Sequence, residues 1–387
     1  MYQKLFKKID ELEPSFLDFW EDVCNIESPT GDKGGVDAVG NYFAAWAERR
    51  GFEVERFSQP VAGDVVIITM NPEAGGAPVA LSGHMDTVHP VGTFGTPAVR
   101  REGKYIYGPG VVDCKGGIVA AAMAMQALQE LGYTDRRVML LLQSNEENSG
   151  YGGKATIWHI CERAKDAVAF LNLEGANEKN GQFPNLATVA RKGILTITFA
   201  ITGIEAHSSR CATDGASAIA EAAYKLLEME KLKDADGLTC NCGIIKGGTV
   251  ANTVPGYCEF KANIRFANAA QLQEVREYAR RVAERVFIEG CRTEIRETGF
   301  RMAMEPTDKN LALLAKMNEI YAACGLPQLT AYHAKGGSDA AEATSTGLPC
   351  VDSIGTDGGR IHSPEEYARI ASLAEAAKRI AAVTAGF

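Results

Sequence analysis

The apolar positions of the first 175 residues follow two different spacings. In some segments they recur every three to four residues, which is typical of an amphipathic helix, and in others they form short unbroken runs, which are typical of buried parallel strands. The predicted elements are helices over 14–50, 115–131 and 152–164, and strands over 64–70, 77–83, 138–145 and 167–173. Alternating strands and helices predict an α/β domain whose mixed, mostly parallel sheet carries helices on both faces.

The pattern changes after about residue 190. Strands and helices now follow in the order β-α-β-β-α-β, which is typical of a ferredoxin-like α+β domain. These elements are predicted over 194–203, 214–232, 238–245, 256–266, 270–288 and 291–299. The α/β pattern then returns with a helix over 308–324 and a strand over 348–355. We therefore predict a discontinuous catalytic domain, 1–192 and 303–387, that contains an inserted lid and dimerisation domain, 193–302.

A last helix is predicted to begin just after His362. Ser363 stands where an N-cap residue would, Pro364 at the first helical position and Glu366 three residues after the cap, which together make a capping box. This assignment would hold His362 immediately before a helix.

Composition narrows the classes of function. A chain of 387 residues exceeds the size at which single cores stop growing, so two domains are expected. The net charge of -9 argues against nucleic acid or a membrane surface as a partner. The weakly polar stretch 117–125 is too short to span a bilayer, and no secretory leader is evident. Ten cysteines without a disulfide-like spacing predict a cytoplasmic protein.

Histidine and carboxylate residues follow the apolar runs. His84 and Asp86 stand two apart, so on an extended strand both would point to one face and the carboxylate would orient the imidazole for a metal. In an isolated pair of this kind, the histidine more often forms ordinary hydrogen bonds with its neighbours than binds a metal. Because further acidic residues follow the neighbouring strands, we favour a metal site here.

The remaining acidic residues allow a pair of cations to be held. Glu146 and Glu147 are adjacent, so on regular backbone their side chains cannot point in the same direction. We assign Glu147 as a metal ligand and Glu146 as the general base. Without the other acidic and histidine residues, this pair would fit a solvent-exposed acidic turn. Nitrogen and oxygen donors without thiolate suit zinc, with cobalt or manganese as alternatives. The predicted shells are His84, Asp113 and Glu174 for one metal, and Asp113, Glu147 and His362 for the other.

Eight short motifs, taken in order, resemble those of a known protein family. SGHMDTV, DCKGG, SNEENSG, LNLEGA, TGIEAHSS, NTVPG, GGSDAAEA and IHSPEEY occur in this order over nearly the whole chain, which resembles the M20 family of metallopeptidases, and glutamate carboxypeptidase-like members most. The resemblance implies a di-zinc catalytic domain, an inserted lid that often dimerises, and a cis peptide after Asp113. Cys114, where relatives often carry Met, is interpreted as a packing residue.

The resemblance also assigns residues outside the metal shells. It implies that His207 stabilises the oxyanion, often in the partner subunit, that Asn252 and Arg265 grip the substrate, and that Gly337 and Ser338 line its pocket. His207 as a surface residue, Arg265 paired with an acid, and the glycines as a simple turn remain alternatives.

We therefore predict a two-metal hydrolase that cleaves an amide next to a free carboxylate in a small peptide or an N-acyl amino acid, working as a homodimer through the lid domain. An N-acyl amino acid deacylase or a dipeptidase is the nearest alternative. A non-catalytic metal- or ligand-binding protein is the alternative of another class, and the presence of Glu146 argues against it, since a binding protein needs no general base.

Overall fold

The computed structural model describes residues 1–148, 151–177, 184–233 and 237–387. The last two residues of the SNEENSG motif, 149 and 150, lie outside the described residues. The helices are α1 (Tyr2–Asn25), α2 (Lys33–Glu48), α3 (Lys115–Glu130), α4 (Ala155–Arg163), α5 (Ala218–Met229), α6 (Ala269–Glu284), α7 (Asp308–Cys324), α8 (Ala340–Ser345) and α9 (Ser372–Gly386).

Nineteen strands of two to ten residues occur in the described parts of the chain. The strands are β1 (Glu53–Phe57), β2 (Val65–Met70), β3 (Val79–His84), β4 (Arg100–Glu102), β5 (Tyr105–Tyr107), β6 (Val138–Gln143), β7 (Ala169–Asn172), β8 (Ala176–Asn177), β9 (Leu186–Arg191), β10 (Gly193–Thr202), β11 (Ala206–His207), β12 (Thr239–Gly247), β13 (Thr253–Val254), β14 (Tyr257–Phe266), β15 (Arg292–Arg301), β16 (Thr330–Ala334), β17 (Cys350–Val351), β18 (Asp357–Gly359) and β19 (Tyr367–Arg369).

The chain forms two compact units. The first unit contains Met1–Val189, Pro306–His333 and Ser338–Phe387, and the second contains Ala190–Glu305 together with Ala334–Gly337. The chain thus passes between the units within β9, after Glu305, within β16 and after Gly337.

The first unit is built on a six-stranded sheet with the order β1-β2-β6-β3-β7-β17. Strands β6, β3, β7 and β17 run parallel, whereas β1 and β2 are joined antiparallel at one edge, so the predicted mixed, mostly parallel sheet is confirmed. Every residue of β3, β6 and β7 is buried, as expected for strands covered by helices. Helix α3 is buried along almost its whole length, because its alanines let α1 and α9 pack closely against it.

The second unit has the predicted ferredoxin-like arrangement. Its antiparallel sheet has the order β12-β14-β10-β15, and α5 and α6 follow its first and third long strands. A separate apolar core fills this unit, with stacked Phe199 and Phe260 rings 4.6 Å apart at its sheet. Each unit therefore has its own core, as expected of a domain.

The predicted helix after His362 is wrong. Residues 363–366 form a turn, β19 follows, and helix α9 begins only at Ser372. The reason is that Glu366 is not a capping residue: its carboxylate is buried and accepts hydrogen bonds from the chain near residue 110. β19 joins a small sheet, with the order β4-β5-β19-β18-β8, that the pattern of apolar residues did not predict.

None of the helices in the described ranges is both long enough and apolar enough to cross a membrane.

Candidate metal centre and hydrolytic site

Four acidic or histidine residues lie at one edge of the large sheet. His84 ends β3, Glu147 follows β6 and Glu174 follows β7, and since these strands are parallel neighbours, their carboxyl ends meet at the same edge. Asp113 lies two residues before α3. Gly117 in the first turn of α3 brings this helix close to β7, since a Cβ at Gly117 would lie 2.1 Å from a backbone oxygen.

The carboxylate of Asp113 faces two histidines. Its Oδ1 lies 3.2 Å from Nε2 of His84, and its Oδ2 lies 3.2 Å from Nε2 of His362. Glu147 Oε2 lies 3.2 Å from the same His362 nitrogen, and Glu174 Oε2 lies 3.8 Å from that of His84. All five residues predicted as metal ligands are thus brought together, and Asp113 connects the two groups.

The orientation of His84 suits a metal ligand. Its Nδ1 lies 2.9 Å from the backbone oxygen of Asp86, to which it donates, and its Nε2, which carries the proton that a metal would replace, faces Asp113 and Glu174. The carboxylate of Asp86 is farther away, at 3.4 Å. The prediction that this carboxylate orients the imidazole from a shared strand face is therefore modified, because β3 ends at His84 and the backbone of Asp86 accepts the main hydrogen bond.

The carboxylate of Asp86 holds the acidic turn instead. It is fully buried and accepts hydrogen bonds from the backbone N–H of Glu146 and of Glu147, both at 3.1 Å, and from the hydroxyl of Thr30 at 2.7 Å. These bonds place the predicted base and the predicted ligand beside the cluster. The charge of Glu146 contributes to the raised pKa of both Glu147 and Glu174.

The electrostatics of the cluster favour cations. Burial, together with the charge of Asp113, raises the pKa of Glu147 to about 8 and that of Glu174 well above its usual range. Hydrogen bonds from His362 and His84 outweigh burial and hold the pKa of Asp113 well below its usual range. Asp113 and Glu147 raise the pKa of His362 to about 10. Bound protons thus compensate the negative charge of the crowded carboxylates, and divalent cations can replace these protons.

Cys114 lies within the cluster, and its sulfur is engaged by the backbone of His84. Ligand atoms of His84, Cys114 and Glu174 lie within 4.8 Å of one another, as do those of His84, Asp113 and Glu147. Burial raises the pKa of the Cys114 thiol to about 12, and its sulfur accepts the backbone N–H of His84 at 3.0 Å. The donors proposed from sequence are imidazole and carboxylate, which fit a pair of divalent cations. The peptide bond before Cys114 is cis, as the resemblance implied.

Glu366 and His89 belong to this site and were not predicted. The buried carboxylate of Glu366 accepts backbone N–H groups of the segment that leads into Asp113, and the imidazole Nε2 of His89 at 2.8 Å. The capping-box pattern concealed this role. The spacing of Glu366 four residues after His362, a predicted ligand, was the one sequence signal for it.

In the second unit, His207 and Asn252 lie close together. β11 pairs with β13 so that His207 lies opposite Thr253, and the N–H of Ser208 donates to the backbone oxygen of Asn252 at 2.9 Å. The Nδ1 of His207 accepts the N–H of Ser209 at 3.3 Å. Its proton is therefore carried by Nε2 on an exposed ring, and this nitrogen can donate a hydrogen bond.

Arg265 is half-buried on β14. In the parts of the chain that the structure describes, no carboxylate lies within ion-pair distance of its guanidinium, so the alternative of an acid partner finds no support there. A Cβ at Gly337 would lie 2.5 Å from Cδ of Arg301, so a larger residue there would displace the Arg301 side chain. Ser338 lies in the first unit, fully buried, and its hydroxyl donates to Asp352 at 2.6 Å. The hydroxyl of Ser338 is thus engaged in the interior rather than lining a pocket.

Comparisons with known proteins agree with this chemistry. The sequence model of peptidase family M20/M25/M40 matches residues 80–385. Carboxypeptidase G2 of Pseudomonas sp. (strain RS-16) is 28% identical over 95% of this chain and 88% of its own length. An acetylornithine deacetylase of Myxococcus xanthus is 30% identical over 57% of this chain and 59% of its own. The fold is similar to that of aminopeptidase PepT from Bacillus cereus, with a TM-score of 0.79 at 20% identity, covering 97% of this chain and 98% of that one.

Proposed function

Because the chain belongs to peptidase family M20/M25/M40 and is a metal-dependent hydrolase, we propose that it uses two divalent cations to cleave an amide bond next to a free carboxylate. The observation that carries the proposal is the carboxylate of Asp113, whose two oxygens face two different histidines. His84, Asp113 and Glu174 would hold one cation. Asp113, Glu147 and His362 would hold the other.

The chemistry divides between the metals and Glu146. A bound pair of divalent cations lowers the pKa of a water molecule and polarises a substrate carbonyl. The Glu146 carboxylate takes the proton from the attacking water and returns it to the departing amine nitrogen. Its backbone is fixed by Asp86, which gives the base a defined position. We propose zinc as the native metal, with cobalt or manganese as substitutes, because the donors are nitrogen and oxygen.

His207 is proposed as the donor to the oxyanion. As the carbonyl carbon becomes tetrahedral, its oxygen gains negative charge, which an N–H donor stabilises. The support from this chain is the hydrogen bond from the Ser209 N–H to Nδ1, which leaves the proton on Nε2. The variant His207→Gln should lower kcat with a smaller effect on KM, because the interaction strengthens in the transition state.

Arg265 is proposed to bind the substrate carboxylate, with Asn252 and the Gly337 backbone as further contacts. A half-buried guanidinium without a carboxylate partner among the described residues is well suited to a carboxylate from the substrate, with which it forms a bidentate pair. In the variant Arg265→Met, we expect KM to rise for substrates with a free carboxylate. Carboxamide analogues, already poor substrates, should be little affected; equal losses for both would contradict this role.

A carboxypeptidase-like activity is our first choice of reaction. Carboxypeptidase G2 is similar over most of its length to this chain, whereas the acetylornithine deacetylase matches over little more than half. The second candidate is an N-acyl amino acid deacylase, which that deacetylase favours, or a dipeptidase of the same family. All three reactions use the same base and cations, so the substrate must be found by experiment.

The experiment loads metal-free protein with zinc or cobalt and measures amine release from a panel of dipeptides and N-acyl amino acids. Preferential release of free glutamate would support the carboxypeptidase. A preference for substrates with short acyl groups would support the deacylase. The variant Glu146→Ala should abolish turnover but keep the metal, while Glu162→Ala, an exposed glutamate outside the site, serves as the matched control. Undiminished turnover in Glu146→Ala would overturn the assigned base. If the unaltered protein binds metal but turns over no substrate, the non-catalytic alternative would be favoured.

We also propose a homodimer formed through the second unit. Strand β12 is an edge strand, and Ile244 and Ile245 near its end are about half exposed. Tyr224 and Leu227 of helix α5 are exposed as well, so this unit presents apolar side chains beside an unpaired strand edge. Light scattering should give the mass of a dimer, and Ile244→Lys with Ile245→Lys should give a monomer. A monomeric mass for the unaltered protein would contradict the proposal.

A cytoplasmic location is the last part of the proposal. All ten cysteines are free thiols, and most of them are buried. Free thiols of this number are typical of a reducing compartment.

A further inference from the structure

We propose that Glu366 is a positioning residue for the metal centre: its buried carboxylate fixes the backbone that ends at Asp113 and thereby directs both oxygens of the shared ligand. His89 completes this arrangement by holding Glu366 in place. The inference rests on the proposed two-metal function and assigns to it two residues that are not ligands.

Both oxygens of Glu366 are fully occupied by N–H donors. Oε1 accepts the backbone N–H of Val112 at 3.0 Å and that of Asp113 at 3.1 Å. Oε2 accepts the imidazole Nε2–H of His89 at 2.8 Å and the N–H of Gly110 at 3.3 Å. The side chains of Glu366 and His89 are 1% and 5% exposed. Four donors around one buried carboxylate leave it no freedom to turn.

This contact controls the direction of the Asp113 side chain. An aspartate has only two side-chain torsions, so the position of its oxygens follows closely from the position of its backbone. Glu366 binds the N–H of Asp113 itself, and the backbone oxygen of Glu366 also accepts the N–H of Gly108 at 3.3 Å. The segment before the ligand is therefore bound to Glu366 at both ends.

The same short segment supplies the opposing ligand. His362 precedes Glu366 by four residues, and its Nε2 lies 3.2 Å from Oδ2 of Asp113. Glu366 therefore fixes the backbone of Asp113 to the turn that carries His362, so the spacing between the two ligands depends on this one side chain. The backbone N–H of Glu366 donates to Ser363 at 3.0 Å, which closes the turn.

The variant Glu366→Gln separates positioning from mere packing. Glutamine has the same shape, but an NH2 group in the place of Oε1 would face the backbone N–H groups of Val112 and Asp113. In the place of Oε2 it would face the N–H of Gly110, and His89 would have to change tautomer to accept from it. We expect either arrangement to shift the segment that ends at Asp113. Changes to groups that orient metal ligands weaken metal binding by about 10- to 100-fold. We expect a loss of this size for Glu366→Gln.

Glu221→Gln is the matched control. Glu221 is also a buried glutamate with two backbone N–H donors, from Phe287 at 2.9 Å and Ile288 at 2.7 Å, but it lies in the second unit. Both variants should lower the melting temperature of the metal-free protein. Only Glu366→Gln should also weaken metal binding and alter the environment of the metal.

The experiment titrates metal-free protein with Co2+, following heat by calorimetry and the visible absorption of the bound ion. We expect the absorption bands of Glu366→Gln to shift and its affinity to fall, while Glu221→Gln matches the unaltered protein. Unchanged spectrum and affinity in Glu366→Gln would overturn the proposal. If the unaltered protein takes up no Co2+, the proposed two-metal function fails instead.

Two variants of His89 provide the test if Glu366→Gln does not fold. His89→Leu removes the shortest of the four donors, whereas His89→Gln can still donate to Oε2. Weaker Co2+ binding in the leucine variant, with recovery in the glutamine variant, supports the positioning role. Equal binding by both, at the level of the unaltered protein, counts against it.

Discussion

The variant Asp86→Asn tests whether one buried carboxylate sets the position of both the proposed base, Glu146, and a proposed ligand, Glu147. Asp86 receives the N–H of Glu146 on Oδ1, and the N–H of Glu147 with the hydroxyl of Thr30 on Oδ2. Asparagine fits the same space with one acceptor oxygen. The variant therefore disturbs the hydrogen bonds of the acidic turn without creating a cavity.

The size of the effect follows from the donors that lose their acceptor. With the asparagine oxygen in the place of Oδ2, the NH2 group faces the N–H of Glu146, which then has no acceptor from residue 86. A buried donor left unsatisfied costs about 1–3 kcal/mol. If that cost falls on the position of the base in the transition state, kcat drops by about 5- to 150-fold, at about 1.4 kcal/mol for each factor of ten.

The assay combines three measurements on the same protein preparation. We expect kcat to fall in this range on the best substrate of the panel, a free energy of unfolding in urea lower by about 1–3 kcal/mol, and bound metal that remains close to that of the unaltered protein. Thr30→Val is the control, because it removes one donor to Asp86 but keeps both carboxylate oxygens. We expect only a small change of kcat there.

The result that would refute this reasoning is an unchanged kcat in Asp86→Asn. It would mean that the position of Glu146 does not depend on the carboxylate of Asp86. A complete loss of bound metal would indicate instead that Asp86 orients His84, whose Nδ1 donates to the backbone oxygen of Asp86.

Three further predictions concern packing and the metal donors. Lys225→Met removes a buried ammonium that donates to three backbone carbonyls and pairs with Glu221, so urea unfolding should show a loss of about 3 kcal/mol; no loss would contradict the pairing. Cys114→Ala should keep two bound metal ions by elemental analysis, and binding of one would make the thiol a ligand. Gly117→Ala should lower the melting temperature sharply, because its Cβ meets backbone, whereas Gly75→Ala, in open space, should not; similar shifts for both would refute the close approach.

The long elements were predictable from sequence because each depends on a local pattern, and the same pattern predicted that most of the proposed metal ligands would lie close together. Runs of buried residues mark β3, β6 and β7, and the polar residues that follow them must lie at one edge of a parallel sheet. His362 stands far along the chain from the other four, so no local pattern fixes its position beside them. Its neighbourhood was then predicted wrongly, as a helix.

The errors arise where a local signal has two meanings. Ser363 and Glu366 match a capping box, but a glutamate at that position can equally turn inward, and only the distant segment around Gly110 decides between the two. The strands of the small sheet are two or three residues long, too short to show an alternation. Ser338 was assigned to the substrate pocket from a motif, although its hydroxyl bonds to the buried carboxylate of Asp352, 14 residues further along the chain.

The long separation of the ligands along the chain has a consequence for biosynthesis. A nascent chain that has passed residue 174 already carries His84, Asp113, Glu147 and Glu174, but the whole second unit must be translated before His362 and Glu366 emerge. Until then, the N–H groups of the segment before Asp113 lack the acceptor that holds them in the finished protein. The proposed centre therefore lacks His362 and Glu366 until the second unit has been synthesised, and metal taken up before then would meet only part of its donors.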